Sequence, residues 1–334
     1  MTRIDGALGL ASRQTEQLLE AAGRAPSLHN TQPWWFRIRP DMIELHSDPE
    51  RRLPVTDPDG REQRMACGAA LYNLRLALHG AGVRPLVTAF PDRDDPDLIA
   101  VVRHGGARAP TPEQLSLLRA VPHRRTNRRP FTDIAIARSD RHALHRSALE
   151  EAGWLYIVDD HRRRARVREL AFSAHRTQMA DPDFRAELGR WTATSAGRHD
   201  GVPAASGGPL PQPHEAWTLR DFTAGARPTR SPVEYIEEQA LITVLSAHLS
   251  GPHGDLQAGQ AMQRVLLTAT ARGLSVSFVS QLVEVPAARE ELRRLVAATH
   301  PPHAVLRIGY GRPVPATPRR PVADLLVPLM SPVA

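Results

Sequence analysis

The chain has 334 residues and 36.8 kDa, with 41% hydrophobic and 24% charged residues. These are globular values, and no stretch reaches the roughly 18 apolar residues of a membrane span. A single cysteine, Cys67, excludes an internal disulfide and any multi-cysteine zinc site. All 43 basic residues are arginine, so the net charge of +7 and the pI of 10.6 reflect a codon bias as much as a partner.

Residues 12–24 form the first expected helix, with Leu18, Leu19 and Ala22 on one face. The chain then breaks at Pro26 and bunches Ser27, His29, Asn30, Thr31 and Gln32 before two expected strands, 34–39 and 42–47, joined by a turn at Pro40-Asp41. Asp57 to Gly60 form a turn whose aspartates are placed to cap a helix over about 61–81, which stops at Gly80 and Gly82. Strands over 84–90 and 97–103 and a helix over 112–120 lead into the basic run HRRTNRRPF at 123–131.

The second half predicts a helix at 139–152, a strand at 155–158 and a helix at 161–180. From 181 to 232 proline, glycine and small polar residues replace hydrophobic periodicity, the pattern of a lid-like insertion or binding loop. A strand at 240–247, a helix at 255–272, a strand at 274–280, a helix at 287–298 and a strand at 304–308 follow, then a proline-stiffened basic tail. Residues 68–84 and 259–275 align without a gap, 191 positions apart, and each ends at a glycine before a strand. The expectation is an α+β chain of two diverged repeats, 1–118 and 119–334, each a mainly antiparallel sheet packed with helices.

With these elements in place, APSLHNTQPWWF (25–36) resembles the APS-x-N-x-QPW segment of the nitroreductase superfamily of FMN-dependent oxidoreductases. HRRTNRRPF resembles the arginine segment that opens those chains, ARGLSVSFV (271–279) their G-L-G segment, and IGYGRPVPATPRRPVADLL (308–326) their closing strand and tail. Each motif occurs in one half only. That split, with CGAAL at 67–71, is similar to the Acg-type branch, in which one fused chain imitates a dimer and holds a single FMN under a lid. Two departures stand out: Ser275 replaces the final glycine of G-L-G, and Thr126 replaces serine.

The resemblance implies FMN held by Ser27, Leu28, His29, Asn30 and Thr31, by a phosphate clamp of Arg124, Arg125, Thr126 and Arg128, by backbone near Gly273 and Leu274, and by Arg319 and Arg320. Chemically the sets suit the task. Amide and hydroxyl groups match the donor and acceptor edge of a flavin, and guanidinium forks match phosphate oxygens. The flavin carries the redox chemistry, so no catalytic side chain is expected, and NADH or NADPH and a small electron acceptor would be the partners. An FMN-sequestering protein without turnover is the alternative.

Other readings of the same residues are weaker. The polar cluster at 27–32 also suits a helix end and turn, and Gly273 a plain helix cap. The arginine runs lack any nucleic-acid-binding motif, so no nucleic acid is expected. His29 with Ser27 lacks an orienting carboxylate for nucleophilic catalysis, and the histidine pairs 142/145 and 248/253 lack a third metal ligand. Cys67 belongs to an alanine-rich helix and reads as core, and Trp34 and Trp35 as strand anchors. A monomer or weak homodimer in the cytoplasm is the expected setting, since the first residues lack the apolar run of a secretory signal.

Overall fold

The computed structural model describes residues 4–193, 197–203, 206–208, 220, 222 and 239–327. Its first half runs α1 (Ser12–Gly23), β1 (Trp34–Ile38), β2 (Met42–Ser47), α2 (Arg61–Gly80), β3 (Val83–Ala89), β4 (Leu98–Ala107) and α3 (Pro112–Ala120). The second runs α4 (Arg138–Leu149), β5 (Gly153–Ile157), α5 (His161–Ala180), α6 (Pro182–Trp191), β6 (Thr192–Ala193), β7 (Val202–Pro203), β8 (Leu241–Ala247), α7 (Gly251–Ala271), β9 (Ser275–Phe278), α8 (Gln281–Glu284), α9 (Pro286–Leu295) and β10 (Ala304–Gly309).

Two antiparallel four-stranded sheets result, β1-β2-β4-β3 and β5-β8-β10-β9, with the tiny parallel pair β6-β7 beside them. Setting β1 against β5, β2 against β8, β3 against β9 and β4 against β10, the two sheets have the same order. The α2–β3 and α7–β9 corners match as well: Gly82 and Gly273 both adopt positive φ, 79° and 72°. A glycine suits this turn because an L side chain is strained there.

Local chemistry sets the helix starts. Thr111 and Gln114 exchange side-chain-to-backbone bonds of 3.1 and 2.9 Å ahead of Pro112, a capping box for α3. Asp57 accepts from the Gln63 amide at 2.9 Å and orders the entry to α2. Asp181 accepts from Asp183 and Phe184, with Pro182 in the first turn, so α6 forms where the sequence pattern predicted no regular structure. Phe184, Leu188 and Trp191 recur there at i, i+4 and i+7, a stripe confined to one ten-residue helix inside a segment otherwise rich in proline and glycine. The rest of 181–232 lies mostly outside the described residues.

One core runs through both halves. Leu19, Phe36, Leu71, Leu155, Leu245 and Leu306 belong to the same buried cluster. The boundary expected between 118 and 119 therefore falls inside α3 and in no linker. Strand β8 is buried along its whole length because its second face carries another cluster, Ile242 and Val244 against Val167, Leu170 and Leu292 of α5 and α9. Cys67 is fully buried and its Sγ lies 3.6 Å from the Pro33 carbonyl; burial pushes its thiol pKa up. The C-terminal tail crosses back: Leu326 bridges Phe36, and the Val327 amide donates to the Phe36 carbonyl at 3.1 Å. The second half thereby completes the open edge of the first sheet. No helix among the described residues is long and apolar enough to cross a membrane.

Candidate functional site

Among the described residues, the loop between α1 and β1 holds three of the seven non-glycine residues with positive φ. His29, Asn30 and Gln32 adopt φ of 50°, 58° and 50°, each costing on the order of 1–3 kcal/mol for a non-glycine residue. Such strain persists only where surroundings hold it. The Ser27 hydroxyl accepts from the Gln32 amide at 2.8 Å. The Asn30 amide donates to the carbonyls of Gly201 and Pro318 at 2.9 and 3.1 Å, and its carbonyl accepts from Arg319 at 2.8 Å. Gln32 donates to His199 O and accepts from the Arg320 amide, both at 2.8 Å. The loop is thus clipped between residues 199–201 and the tail at 318–320.

Beside this loop opens a cavity of about 710 Å³, counting the open solvent at its mouth. Ser27, Leu28 and His29 form one wall. Met65 and Ala66 of α2, Met262 of α7 and Phe278 of β9 give it apolar surface, and Thr126 and Arg128 of the basic run complete it from the second half. That run lies against β9: Thr126 bridges Val276, the Asn127 amide donates to Val276 O at 2.8 Å, and Asn127 Nδ2 reaches Ser275 Oγ and Arg312 O. Two residues of the 181–232 segment also line it. Arg220 pairs with the buried Glu284, and Phe222 packs under the Arg128 guanidinium at 4.5 Å and edge-on to His29 at 5.9 Å.

The electrostatics are lopsided. Burial and the cations Arg220 and Arg128 hold the His29 pKa well below the imidazole range, so the ring is neutral; among the described residues neither of its nitrogens has a hydrogen-bond partner. Burial, then Arg125, lowers the Arg124 pKa to about 10. Arg128 is lowered to about 10 by burial, Arg220 and Arg124. Arg319 is lowered to about 9 by burial, Arg124, Arg125 and Arg24. Among the described residues no carboxylate pairs with Arg124, Arg128 or Arg319. Arg124 Nε and Nη1 and Arg319 Nε are buried without partners among the described residues. Arg24, Arg319 and Arg320 line a second cavity of about 460 Å³. Because Arg124 acts on both Arg128 and Arg319, one basic run links the two cavities. Such a run calls for an anion.

The expected site residues divide accordingly. Ser27, Leu28, His29, Thr126 and Arg128 line the large cavity, and Arg319 and Arg320 the second. Asn30 spends its side chain on the clip, and Thr31 is buried with its carbonyl accepting from Arg51 at 2.8 Å. Arg125 bonds the carbonyls of Pro122 and Arg124. Gly273 ends α7 with open space around it, and Leu274 is in the core; neither lines the cavity. Trp34 is buried in the core and Trp35 stacks on His46 at 3.8 Å. Glu62, Phe278, Ser280 and Gln281 line the cavity without having been anticipated. Phe278 and Ser280 fall within the expected 274–280 strand, which ends at 278, so they sit just past the G-L motif rather than on it.

No protein-family model matches the chain. Curated relatives do. A Mycobacterium tuberculosis protein provisionally named NAD(P)H nitroreductase Rv3131 is 33% identical over 316 residues, covering 92% of this chain and 90% of the relative. The Acg protein of the same organism, with a provisional name of the same kind, is 30% identical over 314 residues, covering 92% and 93%. Among solved structures, an NADPH:FMN oxidoreductase from Vibrio harveyi complexed with NAD+ is 12% identical, with a TM-score of 0.40 over 65% of this chain and 78% of that one.

Proposed function

The chain belongs to the nitroreductase superfamily, and from that membership we propose that it binds one FMN at the seam of its halves and works as an NAD(P)H-dependent oxidoreductase. The observation that carries the proposal is the run of buried arginines, without a carboxylate partner among the described residues, beside a cavity partly walled by apolar side chains. A phosphate would supply the missing anion, held by Arg124 and Arg319 with Arg24 and Arg125. Met65, Ala66, Met262 and Phe278 would flank the ring, and Arg128 would add a cation to the wall around it. When bound, the flavin supplies hydride and electron transfer between reduced nicotinamide and a small acceptor.

The chain's own part is to bind, orient and exclude water. The Asn30 and Gln32 clips fix the loop that carries Ser27, Leu28 and His29. The neutral His29 ring avoids adding another cation to the wall. We take the two halves as diverged copies of one α+β unit, since their sheets share one order and their helix-to-strand corners share a positive-φ glycine. The basic run and the 25–32 loop occur once each, hence one cofactor per chain. Titrating the flavin-free protein with FMN tests this: saturable quenching of flavin fluorescence at one equivalent is expected, and no saturable quenching rejects it.

One observation favours a second reading, FMN held without turnover. Arg220 and Phe222 line the cavity, Arg220 pairing with Glu284 and Phe222 packing on Arg128 and His29, as part of a lid excluding nicotinamide would.

A further inference from the structure

The cavity wall contains one acid that the cofactor does not require. Glu62 stands in the first turn of α2, next to Met65 and Ala66, and its side chain lines the large cavity. It also lines a smaller cavity of about 210 Å³ shared with Arg51 and Asp57. Among the described residues no side chain or backbone group donates to its carboxyl. Its buried acidic neighbours differ: Glu187 accepts from Thr56 and Val55, and Glu284 from Gln178 and Arg220.

We propose that Glu62 is the proton donor to the acceptor reduced in this cavity. The proposal rests on the oxidoreductase function above. Four described lining residues are ionisable: His29, Glu62, Arg128 and Arg220. His29 cannot hold a proton near neutrality, and Arg128 does not release one. Arg220 is spent on Glu284. Glu62 remains. Burial first, then Asp57 and Glu284, raise its pKa to about 8 against the opposing Arg61 and Arg220. A neutral carboxylic acid in an apolar wall offers an O–H to an oxygen acceptor.

The step balances for a quinone. The quinone would take a hydride equivalent from the reduced cofactor at one carbonyl oxygen and a proton from the Glu62 carboxyl at the other, so both C=O groups become C–OH, the two-electron reduction is complete and Glu62 is left as carboxylate. Asp57, raised to about 6 by burial and set across the smaller cavity, is the less basic acid and returns a proton from solvent to Glu62.

The test has two readouts. Infrared difference spectra of flavin-free wild type against E62Q should show a carboxylic-acid C=O stretch that vanishes as pH rises through about 8. With FMN bound, para-benzoquinone is the probe in stopped flow. Reoxidation should be slowed in E62Q on the order of 100-fold, the low end for general acid catalysis. In wild type the rate should fall above the same pH; E62Q should lose that limb and E62D keep one. Absence of the infrared band overturns the proposal. So does E62Q reoxidation at the wild-type rate and pH profile, or a tenfold loss of FMN affinity without slower reoxidation. A wild-type chain that takes up no FMN rejects the function itself, before any acceptor is added, and this proposal falls with it.

Discussion

Gly68 of α2 and Gly259 of α7 stand back to back. A Cβ on Gly68 would lie 2.3 Å from Leu256 O, and a Cβ on Gly259 2.0 Å from Met65 O. The contact is reciprocal: Gly68 is to Gly259 as Met65 is to Leu256, each pair 191 positions apart. Arg64 and Asp255, also related by that offset, form an ion pair at 2.8 Å across the same crossing. The close approach brings Met65 and Met262 together at the cavity wall.

Gly259→Ala should therefore be among the most costly single-methyl insertions in the chain. Overpacking typically costs 1–3 kcal/mol, and here the obstacle is backbone that cannot swing away, so ~3 kcal/mol is expected from urea denaturation midpoints. Gly189→Ala, in a helix with open space around it, is the control and should be neutral or slightly stabilising. Equal effects would mean that the helices separate easily.

Arg124→Ala and Arg319→Ala should each weaken FMN binding by ~1.5–3 kcal/mol, the range of a hydrogen bond to a charged group. Riboflavin, which lacks the phosphate, should respond much less. Equal losses for the two ligands would move these arginines away from the phosphate.

Stability should fall as pH rises above about 6.5. The Glu62 carboxyl has a folded pKa of about 8, above the 4.5 it would have unfolded, so the fold binds its proton more tightly. Its contribution is complete below about 4.5 and lost progressively as pH rises toward 8. Asp57, raised from 3.8 to about 6, acts in the same sense over a lower window. Below about pH 6.5 the neutral His29 contributes the opposite slope, so melting temperatures should decline from pH 6.5 to 9, and Glu62→Gln should flatten that decline. A wild-type profile already flat above about pH 6.5 would show that Glu62 is ionised in the fold.

How much of this was legible in the sequence depended on what each residue was hiding. Helices α2 and α7 showed through their apolar spacing and through Gly82 and Gly273, because a positive-φ stop leaves a residue-type mark. The 25–32 loop stood out for its prolines and polar density. Which way Asn30 points did not: an amide reveals capacity and not direction, and this one is spent on Gly201, Pro318 and Arg319. Glu62, Phe278 and Gln281 were invisible because their cavity exists only once α2 of one half meets β9 and α8 of the other.

Phe222→Ala should speed FMN exchange about tenfold, since the ring packs against both Arg128 and His29 at the cavity. Flavin fluorescence after dilution into excess riboflavin reads the off-rate. Unchanged exchange would mean that this part of 181–232 does not cover the cofactor.

Anaerobic mixing of the FMN-loaded protein with NADH or NADPH, following flavin absorbance near 450 nm, tests the central claim most directly. An oxidoreductase should be bleached by at least one nicotinamide in a saturable reaction, with one flavin reduced per chain. A fully loaded chain whose flavin stays oxidised with both nicotinamides would contradict that claim and leave a flavin-holding protein.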